Sequence, residues 1–281
     1  MSLPSTKTLD HIVHLTPPGT VEQVSNQFRD LGFTVIPGGT HADGLTANAL
    51  VVLHDHVYLE LISFTHPESH YPPGSPDRLK RDSNPWAHKP PGWIDYAFLG
   101  SSVTSIAKII NERARTNLYN NEVNGGRVRE DGTVLKWVIS APSEMLERGS
   151  APFFCGDVTP RDLRVPTTPP SNRMHRSAVL GIAYIRVLVD ESKLVEISTQ
   201  LTYIIGDEPL SKSDIEYQWE LETPSDFGRT RKPRLILSAP RDDEESEAAR
   251  GIHEVAFWTS SEGKEGEALT PYGKILWIRA D

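Results

Sequence analysis

The stretch Leu9-Asp10-His11-Ile12-Val13-His14-Leu15 opens a pattern that recurs along the chain. A turn-like or polar residue precedes a short strand-like run, and similar runs occupy residues 92–98, 181–187 and 251–257. An amphipathic helical pattern follows each of the first three runs, and further strand-like runs come after it. This recurrence predicts a repeated β-α-β-β-β module.

Capping residues, glycines and apolar alternation place the other elements of the modules. Helical patterns cover residues 21–31, 103–110 and 194–205, and Gly32 and Gly206 end the first and the third. In the fourth module the helix is missing and only the strand-like run 274–278 remains. The other predicted strands are residues 33–36, 47–53, 57–64, 126–129, 134–140, 152–155, 216–222 and 234–238.

A single module has one apolar sheet face that it cannot cover alone, so we expect the modules to pair. The predicted fold class is α+β, with curved mixed sheets, helices outside and a concave inner face that suits a ligand. We expect residues 1–165 to form one domain of two paired modules. Residues 178–281 should form a degenerate second pair with a truncated last module, and the proline-rich residues 158–177 link the two halves.

The charge of the chain argues against two classes of partner. Its 281 residues include 29 Lys and Arg against 38 Asp and Glu, a formal net charge of −9 that disfavours nucleic acid and anionic membrane surfaces. No apolar run reaches the roughly 18 residues of a membrane span, and Met1–Lys7 lack a signal-peptide pattern. A lone cysteine, Cys155, permits no internal disulfide. We therefore expect a cytoplasmic protein whose partner is a small molecule.

Two strand motifs carry a resemblance to a known superfamily. Leu9-Asp10-His11 on a first strand and Tyr58-Leu59-Glu60-Leu61 on a last strand of one module resemble the vicinal oxygen chelate superfamily. Three further segments are similar to its glyoxalase-like domain branch, whose fold is that of glyoxalase and dihydroxybiphenyl dioxygenase: Pro37-Gly38-Gly39-Thr40-His41, Gly44-Leu45-Thr46-Ala47-Asn48 and Pro152-Phe153-Phe154. The resemblance covers about residues 9–165 and is only architectural beyond them.

The resemblance implies a metal site of which this sequence keeps half. In metal-dependent members each module of a pair supplies two ligands, and His11 and Glu60 stand at the positions of the first module. Such a pair suits one Zn²⁺, Fe²⁺, Mn²⁺ or Ni²⁺ ion acting as a Lewis acid. The second module has Trp93 and Gly156 there, neither of which binds metal. Asp95 and Asp157 could substitute if the register differs by one residue.

Without a metal, His11 and Glu60 remain candidates for a general acid and base pair, and the alternative is that they are hydrogen-bonded remnants. Each of the other candidate cavity residues also has two interpretations: it contacts a ligand, or it belongs to the core or to a loop. Buried Cys155 is expected to act as a small hydrophobic residue. The predicted substrate-binding residues are Trp93, Asp95, His41, Asn48, Phe154 and Trp137.

These residues leave two functions open. The first is a lyase or isomerase that acts on a small oxygenated metabolite through His11 and Glu60. The alternative is a non-catalytic module that binds or sequesters a small aromatic molecule between tryptophan side chains. The second pair of modules is a candidate surface for homodimer formation.

Overall fold

A computed structural model describes residues 4–129, 131–146, 149–225 and 231–280 of the chain. Residues 1–3 lie outside these ranges. They are part of the segment Met1–Lys7, in which the sequence analysis found no signal-peptide pattern. The helices are α1 (Val21–Asp30), α2 (Pro76–Asp82), α3 (Ile106–Ala114), α4 (Arg161–Arg164), α5 (Leu194–Ile205) and α6 (Asp243–Glu247), with 3₁₀ turns at Glu68–His70, Pro170–Arg173 and Glu191–Lys193. No helix within the described ranges has both the length and the apolar character that crossing a bilayer requires.

The first half of the chain forms one mixed sheet of eight strands in the order β2-β3-β4-β1-β5-β8-β7-β6. These strands are β1 (Leu9–Thr16), β2 (Ile36–Thr40), β3 (Thr46–Val52), β4 (Tyr58–Phe64), β5 (Gly92–Leu99), β6 (Val123–Val128), β7 (Val134–Ser140) and β8 (Phe153–Asp157). We call β1, α1 and β2–β4 the first module, and β5, α3 and β6–β8 the second module. Within each, the first strand is parallel to the last, and β1 joins the modules by pairing antiparallel with β5.

The second half forms a seven-stranded mixed sheet in the order β10-β11-β12-β9-β13-β15-β14. Its strands are β9 (Val179–Leu188), β10 (Ser211–Lys212), β11 (Glu216–Glu220), β12 (Arg234–Ser238), β13 (Gly251–Thr259), β14 (Gly266–Thr270) and β15 (Gly273–Arg279). The fold class is therefore confirmed as α+β with two curved mixed sheets. That the two sheets mark separate domains stays a prediction.

Two local features predicted from the sequence need correction. The last module contains β14, which the sequence analysis missed because this strand is largely exposed and shows no apolar alternation. Helix α3 begins later than its pattern suggested, since Ser105 caps it by accepting a hydrogen bond from the Lys108 amide. Gly206, by contrast, ends α5 in a left-handed conformation (φ +86°), as predicted.

One apolar core spans both halves of the chain. His14 of β1 packs edge-on against Phe28 of α1 and Trp93 of β5, and its ring lies 6.1 Å from that of Tyr272 in the second half. The Trp93 indole N–H donates to the carbonyl oxygen of Lys274 at 3.1 Å. Gly92, just before it, has φ +146°, and a Cβ there would lie 2.6 Å from the Tyr272 carbonyl oxygen. The glycine therefore lets the two halves approach closely.

The buried imidazole of His14 predicts an acid-dependent loss of stability. The ring is fully buried, neither nitrogen has a hydrogen-bond partner among the described residues, and burial lowers the pKa of His14 to about 3. Because the unfolded chain takes up a proton near pH 6.5 and the folded chain does not, the free energy of unfolding falls as the pH drops below that value. By this linkage His14 alone removes about 2 kcal/mol between pH 8 and pH 5.

Urea unfolding at pH 8 and pH 5 measures the loss of unfolding free energy in the wild type and in His14→Met. The methionine side chain is apolar, does not titrate and is similar in size to the imidazole. We expect the wild type to lose about 2 kcal/mol more than the variant over this interval. Equal losses in the two proteins would show that His14 does not cause the acid sensitivity.

Candidate functional site

The concave face of the first sheet encloses a cavity of about 460 Å³. His11 of β1 faces it together with alternate side chains of β3 and of the first half of β4, and β6–β8 close the opposite side. A loop between β4 and β5 adds further walls. The side chains that the following paragraphs use are His11, His41, Asn48, Tyr58, Glu60, Trp86, Arg127, Trp137, Phe153, Cys155 and Arg164.

His11 is fixed in position by contacts on three sides. Its Nδ1 atom lies 2.7 Å from Oδ2 of Asp10, and its ring stacks on Tyr58 at 4.6 Å and meets the edge of Phe153 at 5.2 Å. Because a carboxylate only accepts hydrogen bonds, we assign the proton of a neutral His11 to Nδ1. The unprotonated Nε2 then faces the cavity, 3.8 Å from Oε2 of Glu60.

Asp10, which orients His11, is itself held by two arginines. Arg164 donates to both of its oxygens, the shorter contact being 2.8 Å, and Arg161 donates to its Oδ1. Burial alone would raise the pKa of Asp10, but the guanidinium groups of Arg164 and Arg161 hold it well below its ordinary value. Asp10 is therefore a permanent anion behind the imidazole. Arg164 also donates to the Tyr58 hydroxyl at 2.9 Å.

Glu60 is positioned by the amide of Asn48. The Nδ2 group of Asn48 donates to Oε1 of Glu60 at 2.6 Å, and Oδ1 of Asn48 accepts from Nη1 of Arg127 at 3.1 Å. His41 lies on the same side, with Nδ1 2.7 Å from the Thr46 hydroxyl and Nε2 3.8 Å from Oε1 of Glu60. The second carboxylate oxygen of Glu60 is thus the one nearer His11.

Arg127 is a cavity residue that the sequence analysis did not select, and Trp86 is one of the tryptophan side chains considered as possible ring-stacking surfaces of the cavity. Arg127 lies on β6 and is buried, and burial lowers its pKa although Glu60 opposes this effect. Trp86 lies in the loop before β5, where its indole N–H donates to Asp95 at 3.0 Å. The strand pattern of residues 126–129 predicted the element that carries Arg127. It did not indicate which face of that strand meets the cavity.

Comparison with known proteins assigns the family. The model of the glyoxalase-like domain family matches residues 9–202. The chain belongs to the glyoxalase-like family. This places it in the vicinal oxygen chelate superfamily, as the strand motifs suggested.

Solved structures share the fold of this glyoxalase-like protein at low identity. A hypothetical protein from Staphylococcus aureus is 11% identical, with a TM-score of 0.72 over 97% of this chain and 99% of that one. A 2,2',3-trihydroxybiphenyl 1,2-dioxygenase from Sphingomonas wittichii strain RW1 is 11% identical, with a TM-score of 0.49 over 98% and 90% of the two chains. No curated protein matches the sequence significantly. The likenesses to solved structures establish the fold alone.

In this glyoxalase-like protein, the structure brings together five of the eight side chains selected from the sequence. His11, Glu60, His41, Asn48 and Trp137 line the cavity. Asp95 does not line it, but it anchors Trp86, which does.

Trp93 and Phe154 lie outside the cavity, contrary to the sequence expectation. Trp93 packs against His14 in the core between the two halves, and Phe154 packs against Phe98 and Tyr119. Phe153 faces the cavity in place of Phe154. Neighbouring residues of a strand point to opposite faces, so an error of one position exchanges a lining residue for a core residue.

The glyoxalase-like site does not fit the two-module metal centre that the resemblance implied. Within the described ranges, β5 contributes nothing to the cavity lining and β8 contributes Phe153 and Cys155. Burial raises the pKa of the Cys155 thiol to about 12, which keeps it protonated. Asp157, the alternative ligand, is bound to Arg164 at 2.7 Å. His11 and Glu60 therefore lack their second-module partners, and the described residues include no cluster of three or more His, Cys, Asp or Glu arranged to hold a metal.

Two neighbouring glycines give a direct test of how Asn48 is positioned. A Cβ on Gly38 would lie 2.1 Å from Oδ1 of Asn48, whereas one on Gly39 would lie 3.7 Å from the nearest atom, Nη1 of Arg127. We expect Gly38→Ala to lower the free energy of unfolding by about 1–3 kcal/mol, because Asn48 or the backbone must move. Gly39→Ala should change it by less than about 0.5 kcal/mol.

Urea unfolding of both variants at one pH tests this expectation, with Gly39→Ala as the matched control. The same small effect in both variants would contradict the close approach of Asn48 to β2.

Proposed function

We propose that this glyoxalase-like protein is an enzyme of the lyase or isomerase type that moves a proton on a small oxygenated metabolite, with His11 and Glu60 as its catalytic residues. The observation that carries the proposal is the 3.8 Å separation of Nε2 of His11 from Oε2 of Glu60 in the cavity wall. Each group is held from behind by another side chain, which leaves these two atoms directed at the same space.

The surroundings of the two groups suit proton transfer. A base must come within about 2.6–3.2 Å of the proton-bearing atom that it serves, and a substrate placed in the cavity beside the two groups can reach both of them. The anion of Asp10 stabilises the positive charge that His11 gains on protonation, as a buried aspartate does behind a catalytic histidine. Asn48 keeps Glu60 from turning away from the cavity.

The proposal gives each of the two groups a role. Glu60, through Oε2, takes a proton from a carbon next to a carbonyl or hydroxyl group. Protonated His11, through Nε2, donates its proton to the neighbouring oxygen, which becomes an enol in an isomerase or a departing group in a lyase. Neutral His11 then takes a proton back from an oxygen while Glu60 returns its proton to a different carbon, which completes an isomerisation and restores both groups. No step runs through a metal ion, because the second module supplies no ligands to join His11 and Glu60.

A second candidate function is non-catalytic binding of a small aromatic molecule. The aromatic side chains on the cavity wall favour it, since Trp86 and Phe153 lie 6.2 Å apart and the His41 and Trp137 rings meet edge-on. Stacking surfaces of this kind bind rings without any proton transfer. The two functions differ in whether a bound ligand exchanges a carbon-bound proton with solvent.

Proton exchange with solvent tests the catalytic proposal without requiring the natural substrate. Phenylpyruvate, its uncharged methyl ester and related 2-oxo and 2-hydroxy compounds are incubated with the protein in D₂O, and mass spectrometry measures deuterium incorporation above the uncatalysed rate. We expect the wild type to accelerate exchange and Glu60→Gln or His11→Asn to reduce the acceleration about a hundredfold or more, since each removes one proton-transfer group.

Glu22→Gln is the matched control, because Glu22 is an exposed residue of α1. It should exchange protons at the wild-type rate, and unfolding midpoints should show that all variants fold. Ligand binding without enzyme-dependent exchange would favour the binding module, and full exchange by Glu60→Gln would contradict the assigned role of Glu60.

A further inference from the structure

Arg127 differs from the other buried arginines in its lack of an anionic partner. Four arginines are buried among the described residues. Arg164 pairs with Asp10 and Asp157, Arg186 pairs with Glu245 through two short contacts, and Arg81 lies 3.2 Å from Asp82. Arg127 forms no ion pair with any described residue, and its one hydrogen bond goes to the neutral amide of Asn48.

Burying a guanidinium without an anionic partner costs free energy, so the position of Arg127 needs a physical explanation. Arginine keeps its charge in proteins, and burying a charge without a counter-ion is strongly unfavourable. Glu60 lines the same cavity, but Arg127 forms no ion pair with it, and the amide of Asn48 hydrogen-bonds to both groups instead. The remaining donors of Arg127 are therefore left for something that enters the cavity.

A second donor lies beside Arg127 on the same face of the sheet. Gly125 is opposite Trp137 in the β6–β7 ladder, and Arg127 follows Gly125 by two residues, so Arg127 and Trp137 are diagonal neighbours. A Cβ on Gly125 would lie 2.2 Å from the indole nitrogen of Trp137, which shows how closely the indole covers this glycine. The indole N–H of Trp137 donates a hydrogen bond to no group within the described ranges.

We propose, on the basis of the function proposed above, that the substrate is a small 2-oxo or 2-hydroxy carboxylic acid whose carboxylate is bound by Arg127. A planar guanidinium binds a carboxylate through two parallel hydrogen bonds, and the indole N–H of Trp137 adds a neutral donor to the same wall. The ligand then supplies the anion that Arg127 lacks.

The position of Asn48 relates this carboxylate to the proton-transfer groups. Asn48 contacts Nη1 of Arg127 at 3.1 Å and Oε1 of Glu60 at 2.6 Å, so a single amide separates the guanidinium from Glu60. An acid seated on Arg127 therefore places the first carbons beyond its carboxylate, with their oxygen substituent, near Glu60 and His11. Trp86 and Phe153 give an apolar or aromatic end of the molecule a surface to pack on.

Binding measurements with a charged and an uncharged probe test the substrate class. Isothermal titration calorimetry compares phenylpyruvate with its methyl ester in the wild type, Arg127→Lys, Arg127→Met and Trp137→Phe. We expect the wild type to bind the acid about ten- to a hundredfold more tightly than the ester. Arg127→Met should lose this preference, Arg127→Lys should keep part of it, and Trp137→Phe should weaken binding of the acid several-fold.

The control variant is Lys136→Met, which removes a cation from the exposed side of the neighbouring strand β7. It should keep the wild-type preference for the acid. Equal binding of acid and ester by the wild type, retention of the preference in Arg127→Met, or no binding of the acid at millimolar concentration would overturn the assignment of Arg127.

The two proposals fail in different ways. Arg127-dependent binding of the acid without solvent exchange would contradict the catalytic function and support the ligand class. Exchange that depends on Glu60 with equal rates for acid and ester would support the catalytic function and contradict the ligand class.

Discussion

The buried anion of Asp10 is the interaction on which the site depends. Its carboxylate contacts His11 at 2.7 Å and Arg164 at 2.8 Å and also accepts from Arg161, so it joins β1 to the short helix α4 that follows the second module. Such a charge is tolerated inside a protein only when its partners are well placed. The pairing therefore fixes the relative positions of the two modules and the orientation of the imidazole together.

The two modules contribute different chemistry to one cavity. The first supplies His11 and Glu60, the proposed proton-transfer pair, together with the amide of Asn48 that hydrogen-bonds to the carboxylate. The second has Trp93 and Gly156 where the superfamily resemblance implied metal ligands, and it supplies Arg127 and Trp137 to the cavity wall instead. This division agrees with a site that binds an oxygenated acid through donors on one wall and acts on it from the other.

The sequence predicted the elements well because their signals are local, whereas the site depended on details that are not. The recurring strand starts and the glycine after α5 indicated the modules, and the alternation of β1 and β4 turned His11 and Glu60 to the same face. Phe154 was misplaced by one position, since its neighbour Phe153 faces the cavity, and Trp93 was misplaced because no side chain of β5 lines the cavity. Arg127 was missed because its burial and its lack of an ion pair arise only when β6 closes against the first module.

The tautomer of His11 tests the central claim most directly. Long-range ¹H–¹⁵N spectra of protein labelled with ¹⁵N-histidine, assigned by comparison with His11→Gln, report which ring nitrogen carries the proton. The account predicts that neutral His11 is protonated at Nδ1, the atom next to Asp10, and unprotonated at Nε2. A neutral ring protonated at Nε2, or one that averages between tautomers as a freely solvated histidine does, would contradict it.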